Sequence, residues 1–303
     1  MIERYCIDCG ALRQATEDEA TVWLAVAPNV AEQSTLQTRL GIGAQVLESS
    51  LDPDEVARIE IKPDHLFLIW KRPESFDGRA FNVSSFGVVL SDKRLVVICA
   101  SNSLLSSLEQ DAQMIGPLDV LMALLAESVH HYLGHLRVVK QIAREIQHQF
   151  TRAMDNQQLA QMYNLSESLV YYVNAIQSNG AVLTLLRNHG QRQGFSDGQL
   201  ESLNDLIVEN EQSFQQARIH AKVFANLIES HGNLANNSMN RALRKLTLIN
   251  VVFLPLNLIA GIGGMSEFSM ITSGVPWWMS FPVLIACMGL VGAGMALALR
   301  RMA

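Results

Sequence analysis

Asn240, Thr247, Asn250 and Asn257 lie in or beside a stretch that is otherwise apolar, and their spacing is regular. On heptad spacing Asn240, Thr247, Leu254 and Gly261 form one set, and Leu243, Asn250, Asn257 and Gly264 the set interleaved with it. Together they draw one narrow stripe along a helix. An amide in hydrocarbon is expensive, so the stripe must face a partner helix or water. Two chemistries fit. Asn and small residues can glue transmembrane helices together. Alternatively, copied by rotational symmetry, each Asn becomes a ring of amide oxygens for cations and their water, and each Leu a constriction that gates by dewetting. The alternation of Asn with Leu243 and Leu254, ending in glycines, favours the second. Pro255 also frees the carbonyl of Val251, which needs protein or water to donate to it.

Other residues with chemical capacity lie outside this stretch. Glu127, His131 and His135 are four residues apart, so a helix puts them on one face beside His130, a spacing that suits zinc. The plainer reading is a solvated helix face. Cys6 and Cys9 have the spacing of half a zinc site or of a redox pair, yet no second such pair completes a four-cysteine site. Their plainer reading is small residues near a mobile terminus. Four cysteines are too few for a disulfide framework and suit a reducing cytosol.

The elements that position the stripe are legible from the distribution of charge. Residues 246–265 and 275–299 are apolar runs, each long enough to cross a hydrocarbon core of about 30 Å, and the short connection carries Glu267 as its charged residue. Arg241, Arg244 and Lys245 flank the first run, and Arg300 and Arg301 the second, so both ends are read as cytoplasmic and the connection as external. Trp277 and Trp278 open the second span as interfacial aromatics. The N-terminus lacks the apolar core of a signal peptide, so the soluble part is expected inside. A net charge of -6 without a basic and aromatic stripe argues against nucleic acid as a partner, and the absence of a P-loop argues against an ATP-driven pump.

The first hundred residues have mixed α/β character. The runs TVWLAVA, HLFLIWK, FGVVLSD and RLVVICAS read as strands, the last two joined as a hairpin at Ser91–Arg94. Between the first two, residues 31–51 and 52–59 read as short helices with breakers at Gly41 and Pro53. After Pro117 the periodicity is helical, with Leu118, Leu121, Leu125, Val129, Leu133 and Val138 on one face. A second helix is expected over 156–188. A third, capped by Ser196, is expected to run from about 197 to about 262, close to 100 Å at about 1.5 Å per residue.

With these residues in place, the chain resembles the CorA superfamily of divalent cation channels and transporters. The likeness rests on FLPLNLIAGIGGMS, similar to that family's proline-bearing first span ending in a Gly-Met-Asn signature, together with two C-terminal spans followed by basic residues, an N-terminal α/β domain and a very long helix. It implies an α+β cytosolic domain (1–115), a long-helix stalk (116–245), a pore-lining span (246–266), a short external loop (267–274), a second span (275–299) and a basic tail (300–303). It further implies a homopentameric funnel in the inner or plasma membrane, with lipid, its own copies and divalent ions as partners, no organic cofactor and no enzymatic chemistry. The family's pore positions carry over to Asn240, Leu243, Leu246, Thr247, Asn250, Leu254, Asn257 and Gly261. Its outer signature carries over as Gly264 and Met265, with Ser266 where the family has Asn and Glu267 next to it. In the family that Asn ring contacts the waters of a hydrated magnesium ion; five serines form a wider, weaker ring. Passage of Mg2+, with Co2+ or Ni2+, is the implied function. The alternatives are a CorA-like zinc transporter and a non-conducting membrane-tethered sensor. Glu229 is the carboxylate nearest the family's regulatory metal sites, and closure at high internal cation would come from ions pinning subunits together.

Overall fold

The computed structural model describes residues 1–8, 10–62, 65–74, 80–91, 94–100, 114–149, 156–271 and 273–302. They fall into two units, Met1–Ile228 and Glu229–Ala303.

The first unit opens with β1 (Ile2–Asp8), β2 (Ala11–Gln14) and β3 (Val22–Val26). Next comes α1 (Val30–Leu40), which starts at a reciprocal capping box between Asn29 and Glu32 and stops at Gly41, whose φ of 67° is open to a residue without Cβ. α2 (Ala44–Leu51) is followed by β4 (Arg58–Ile61), β5 (Leu66–Pro73), β6 (Val83–Leu90) and β7 (Leu95–Cys99). The expected hairpin is present: Ser91 and Arg94 exchange backbone hydrogen bonds of 2.9 and 3.3 Å where β6 turns into β7.

These strands form one seven-stranded sheet in the order β2-β1-β3-β7-β6-β5-β4. The β3–β7 pair is parallel and the other pairs are antiparallel. One face packs Trp23, Ala25, Val96 and Ile98 under α1 and α2. The contact is close, since a Cβ on Gly87 of β6 would lie 1.9 Å from the Ser50 hydroxyl oxygen of α2. The other face is covered by α3 (Pro117–Gln149), by α4 (Asn156–His189) and by the first turns of α5 (Asp197–Gly263). The indole N–H of Trp70 in β5 donates to the Ser128 hydroxyl of α3 at 2.8 Å, so the buried ring keeps a polar partner.

Two expectations about the sheet need correction. The N-terminal residues are strands, not a mobile end: Tyr5 is buried, β1 sits between β2 and β3, and Cys6 pairs with Arg13. Cys9 lies outside the described residues. The segment 52–59 is not a helix, because Asp52 turns it, accepting from the Asp54 amide at 2.9 Å, and its end joins the edge of β5 as β4.

The long helices follow their expected spans. α5 is one helix of 67 residues through Pro255, and it starts at Ser196 and Gln199, which cap each other reciprocally. On α3, Leu121, Leu125 and Val129 are buried as expected, but Val138 is exposed; the buried face continues through Tyr132, Leu136 and Val139 instead. The step from Val129 to Val138 overshoots the helical repeat by about half a turn. Lower down, α3, α4 and α5 share a core that includes Tyr132, Leu165, Leu169, Tyr172 and Phe224.

The second unit holds the end of α5, then α6 (Ser266–Ile271) and α7 (Trp277–Met302). α5 and α7 each contain a segment long and apolar enough to cross a membrane, and neither segment is buried within the chain. The expected external loop is partly helical, since residues 267–271 belong to α6.

Candidate functional site

In the second unit the burial pattern along α5 divides the helix into two faces. Leu248, Val252, Leu256, Ile259 and Gly263 are half-buried, and so are Leu284, Met288, Gly292 and Met295 on α7. These positions make an apolar seam with close approach at both ends. A Cβ on Gly263 would lie 2.7 Å from Leu284 Cδ2, and one on Gly292 would lie 3.4 Å from Leu256 Cδ1. The pairs run in opposite senses along the two helices, so α7 is antiparallel to α5. Glycines at such contacts let membrane helices approach closely.

The polar stripe occupies the other face. Asn240, Leu243, Leu246, Thr247, Asn250, Leu254, Asn257 and Gly261 are all exposed. At about 100° per residue, this set centres on the side of the helix opposite the seam. The stripe is therefore not glue for α7, and its amides are presented outward. The Thr247 hydroxyl donates to the Leu243 carbonyl at 2.9 Å, which turns its lone pairs away from its own backbone. Pro255, which lacks an N–H, is half-buried within the helix.

At its end α5 tightens. The Gly264 amide is shared between the Ala260 and Gly261 carbonyls at 3.1 and 3.2 Å, and Met265 N–H donates to the Ile262 carbonyl at 3.2 Å. Met265 and Ser266 are exposed, and Ser266 begins α6. The side chain of Glu267 lies outside the described residues. Glu229, at the start of the second unit, is exposed.

In the first unit Glu127, His131 and His135 do share a face of α3, and the two imidazole centroids are 4.4 Å apart. The surroundings are aromatic. His135 Nδ1 lies 2.6 Å from the Tyr172 hydroxyl, and its ring centroid is 5.0 Å from that of Phe81. Desolvation, with the like charge of His131 second, pulls His135 down to about 4, so the ring is neutral near pH 7. Desolvation lowers His131 too, against the pull of Glu127. Among the described residues no group of three His, Cys, Asp or Glu side chains is placed to hold a metal. The metal-binding face expected from the spacing is thus not gathered into such a group, and Tyr172 takes Nδ1 of His135. Arg72, which no motif singled out, is buried beside this cluster; its Nε reaches the Ser84 hydroxyl at 3.4 Å, and Glu127 is among the charges acting on it.

Sequence reasoning found the stripe but missed the seam. The signal was present as Gly263 and Gly292, but glycines are common in membrane helices, and only the register between α5 and α7 shows which of them meet a neighbour.

A family model described as CorA-like Mg2+ transporter protein matches residues 18–301. The cobalt/magnesium transport protein CorA of Methanocaldococcus jannaschii is 22% identical over 260 residues, which cover 82% of this chain and 81% of that protein. The complete structure of the CorA magnesium transporter from the same organism superposes with a TM-score of 0.83 at 20% identity, covering 100% of this chain and 98% of that one. The full-length CmaX protein superposes with a TM-score of 0.76 at 14% identity, covering 99% and 96%. At these identities the structural likeness establishes the fold, and the family match takes in β3 to β7 of the sheet, the long helices and both apolar segments. The chain belongs to the CorA-like Mg2+ transporter protein family.

Proposed function

We propose that the chain is a divalent cation channel of the cell membrane: five copies enclose an axis lined by α5, both termini are cytoplasmic, and hydrated Mg2+, with Co2+ and Ni2+, moves down its electrochemical gradient. The observation that carries this reading is the exposure of the Asn240–Gly261 stripe on the face of α5 opposite the α7 seam. Amides left outward at membrane depth require either identical neighbours around water or a large solvation cost. Magnesium sheds its water reluctantly, so neutral acceptors at Asn250 and Asn257 suit the hydrated ion, while Leu243 and Leu254 supply the dewetting constrictions. An inside-negative potential drives a divalent ion with about 4.6 kcal/mol per 100 mV, twice the value for a single charge. Ser266 and Glu267 form the outer mouth in this reading. Flux into sealed vesicles tests it: the purified protein passes Mg2+ above empty vesicles, and Asn257→Leu lowers the rate at least about tenfold. Equal flux from Asn257→Leu and the natural protein removes the stripe from the pathway, and no flux of any divalent ion removes the channel.

A further inference from the structure

The first unit contains a cavity of about 500 Å3 that takes no part in the stripe. Its floor is a cross-strand row, Phe67 of β5 opposite Val89 of β6 opposite Val96 of β7. Its walls are cationic. Arg39 comes from the last turn of α1, Arg58 from β4, Lys62 from the residue after β4, and Arg94 from the turn before β7, against the single carboxylate of Glu60.

This grouping is unexpected in a chain of net charge -6. Two of the cations are partly satisfied: Arg39 pairs with Glu17, and Arg58 pairs with Glu55 and Glu60. Among the described residues no ion pair reaches Lys62 or Arg94. The backbone adds further donors. α2 begins at Gly43 without a side-chain cap, and its first turn closes through Val46 and Leu47, which both donate to the Gly43 carbonyl. The amides of Ala44 and Gln45 are thereby left for an outside acceptor. Gly43 lines the cavity, and a Cβ there would meet nothing within 4 Å, so space is open at this helix end.

We propose that this cavity binds an organic phosphate of nucleotide size. Lys62, Arg94 and the first-turn amides of α2 hold the phosphate oxygens, and the ring system lies over the Phe67–Val89–Val96 row. Cavity size and floor decide against a bare anion. The volume sits within the roughly 300–1,000 Å3 of small-molecule sites, far more than one phosphate fills, and an apolar floor offers an inorganic ion nothing. Several cations spread around the cavity match a chain of phosphates better than a single charge.

The test is calorimetric titration of the full-length protein in detergent with ADP, pyrophosphate and adenosine, in EDTA so that divalent ions do not contribute. Saturable ADP binding is expected, tighter than pyrophosphate or adenosine, and weakened at least about tenfold in the double variant Lys62→Ala, Arg94→Ala. It should also weaken as salt is raised. Both side chains are exposed, so the variant should melt like the natural protein; the single variants Lys62→Ala and Arg94→Ala provide a second reading of the same loss. ADP that does not bind, or binds equally to the variants, overturns the proposal. Pyrophosphate binding as tightly as ADP overturns the role of the apolar floor.

Discussion

The buried side chain of Asn179 in α4 holds both backbone groups of Lys71 in β5: its Oδ1 accepts from the Lys71 amide at 3.0 Å and its Nδ2 donates to the Lys71 carbonyl at 2.7 Å. β4 pairs with β5 only as far as Ile69, so one side-chain amide substitutes for the missing strand at this point. Asn179→Ala leaves a donor and an acceptor without partners inside the fold and should cost about 2–4 kcal/mol. Thermal unfolding of the full-length protein in detergent measures it, and an unchanged midpoint would mean that water takes over both bonds.

The α5–α7 seam predicts a contrast between its two glycines. Gly263→Leu drives a side chain into Leu284, which already sits 2.7 Å from the Cβ position, and should cost about 1–3 kcal/mol. Gly292→Ala meets Leu256 at 3.4 Å and should cost less than about 1 kcal/mol. Melting of the two variants side by side checks the order; a reversed order would mean the seam is offset from the register described.

Ser266 gives a prediction about ion discrimination. Ser266→Asn places a longer amide acceptor at the start of α6, able to reach the water shell of a hydrated ion. Competition between Mg2+ and Zn2+ in vesicles should shift towards Mg2+ by about threefold or more. No shift would assign selectivity to Asn257 and the residues below it.

His135 predicts a dependence of stability on acid. The folded ring takes its proton only near pH 4, whereas the unfolded ring does so near 6.5, so falling pH protonates the unfolded chain first. The stabilisation is complete above about pH 6.5, is lost between 6.5 and 4, and changes no further below that. With allowance for the ring's partial exposure, about 1–2 kcal/mol is at stake. His135→Phe should flatten this part of the pH–melting profile relative to the natural protein, and parallel profiles would place the effect on other groups.

The stripe and the long helices were legible because they are written in local periodicity. Asn250 and Asn257 are seven residues apart in an uncharged run, and Ser196 as a cap marks the start of α5 within a few residues. What stayed hidden depends on neighbours distant in sequence. β4 looks like a continuation of a helical segment until the edge of β5 is there to pair with it, and Cys6 looks terminal until Arg13 lies opposite. The histidines of α3 illustrate the opposite hazard. Their spacing does put them on one face, but they do not gather into a group that could hold a metal, and the hydroxyl that meets His135 Nδ1 comes from Tyr172, thirty-seven residues further on.

The back-to-back arrangement on the last turns of α5 has a practical consequence. Changes at Ile259 and at Asn257 concern different neighbours although the residues are two positions apart, so their effects should sum rather than interfere. One flank can then be redesigned for detergent robustness while the polar flank is left untouched, a separation seldom available when a single packed surface serves both ends.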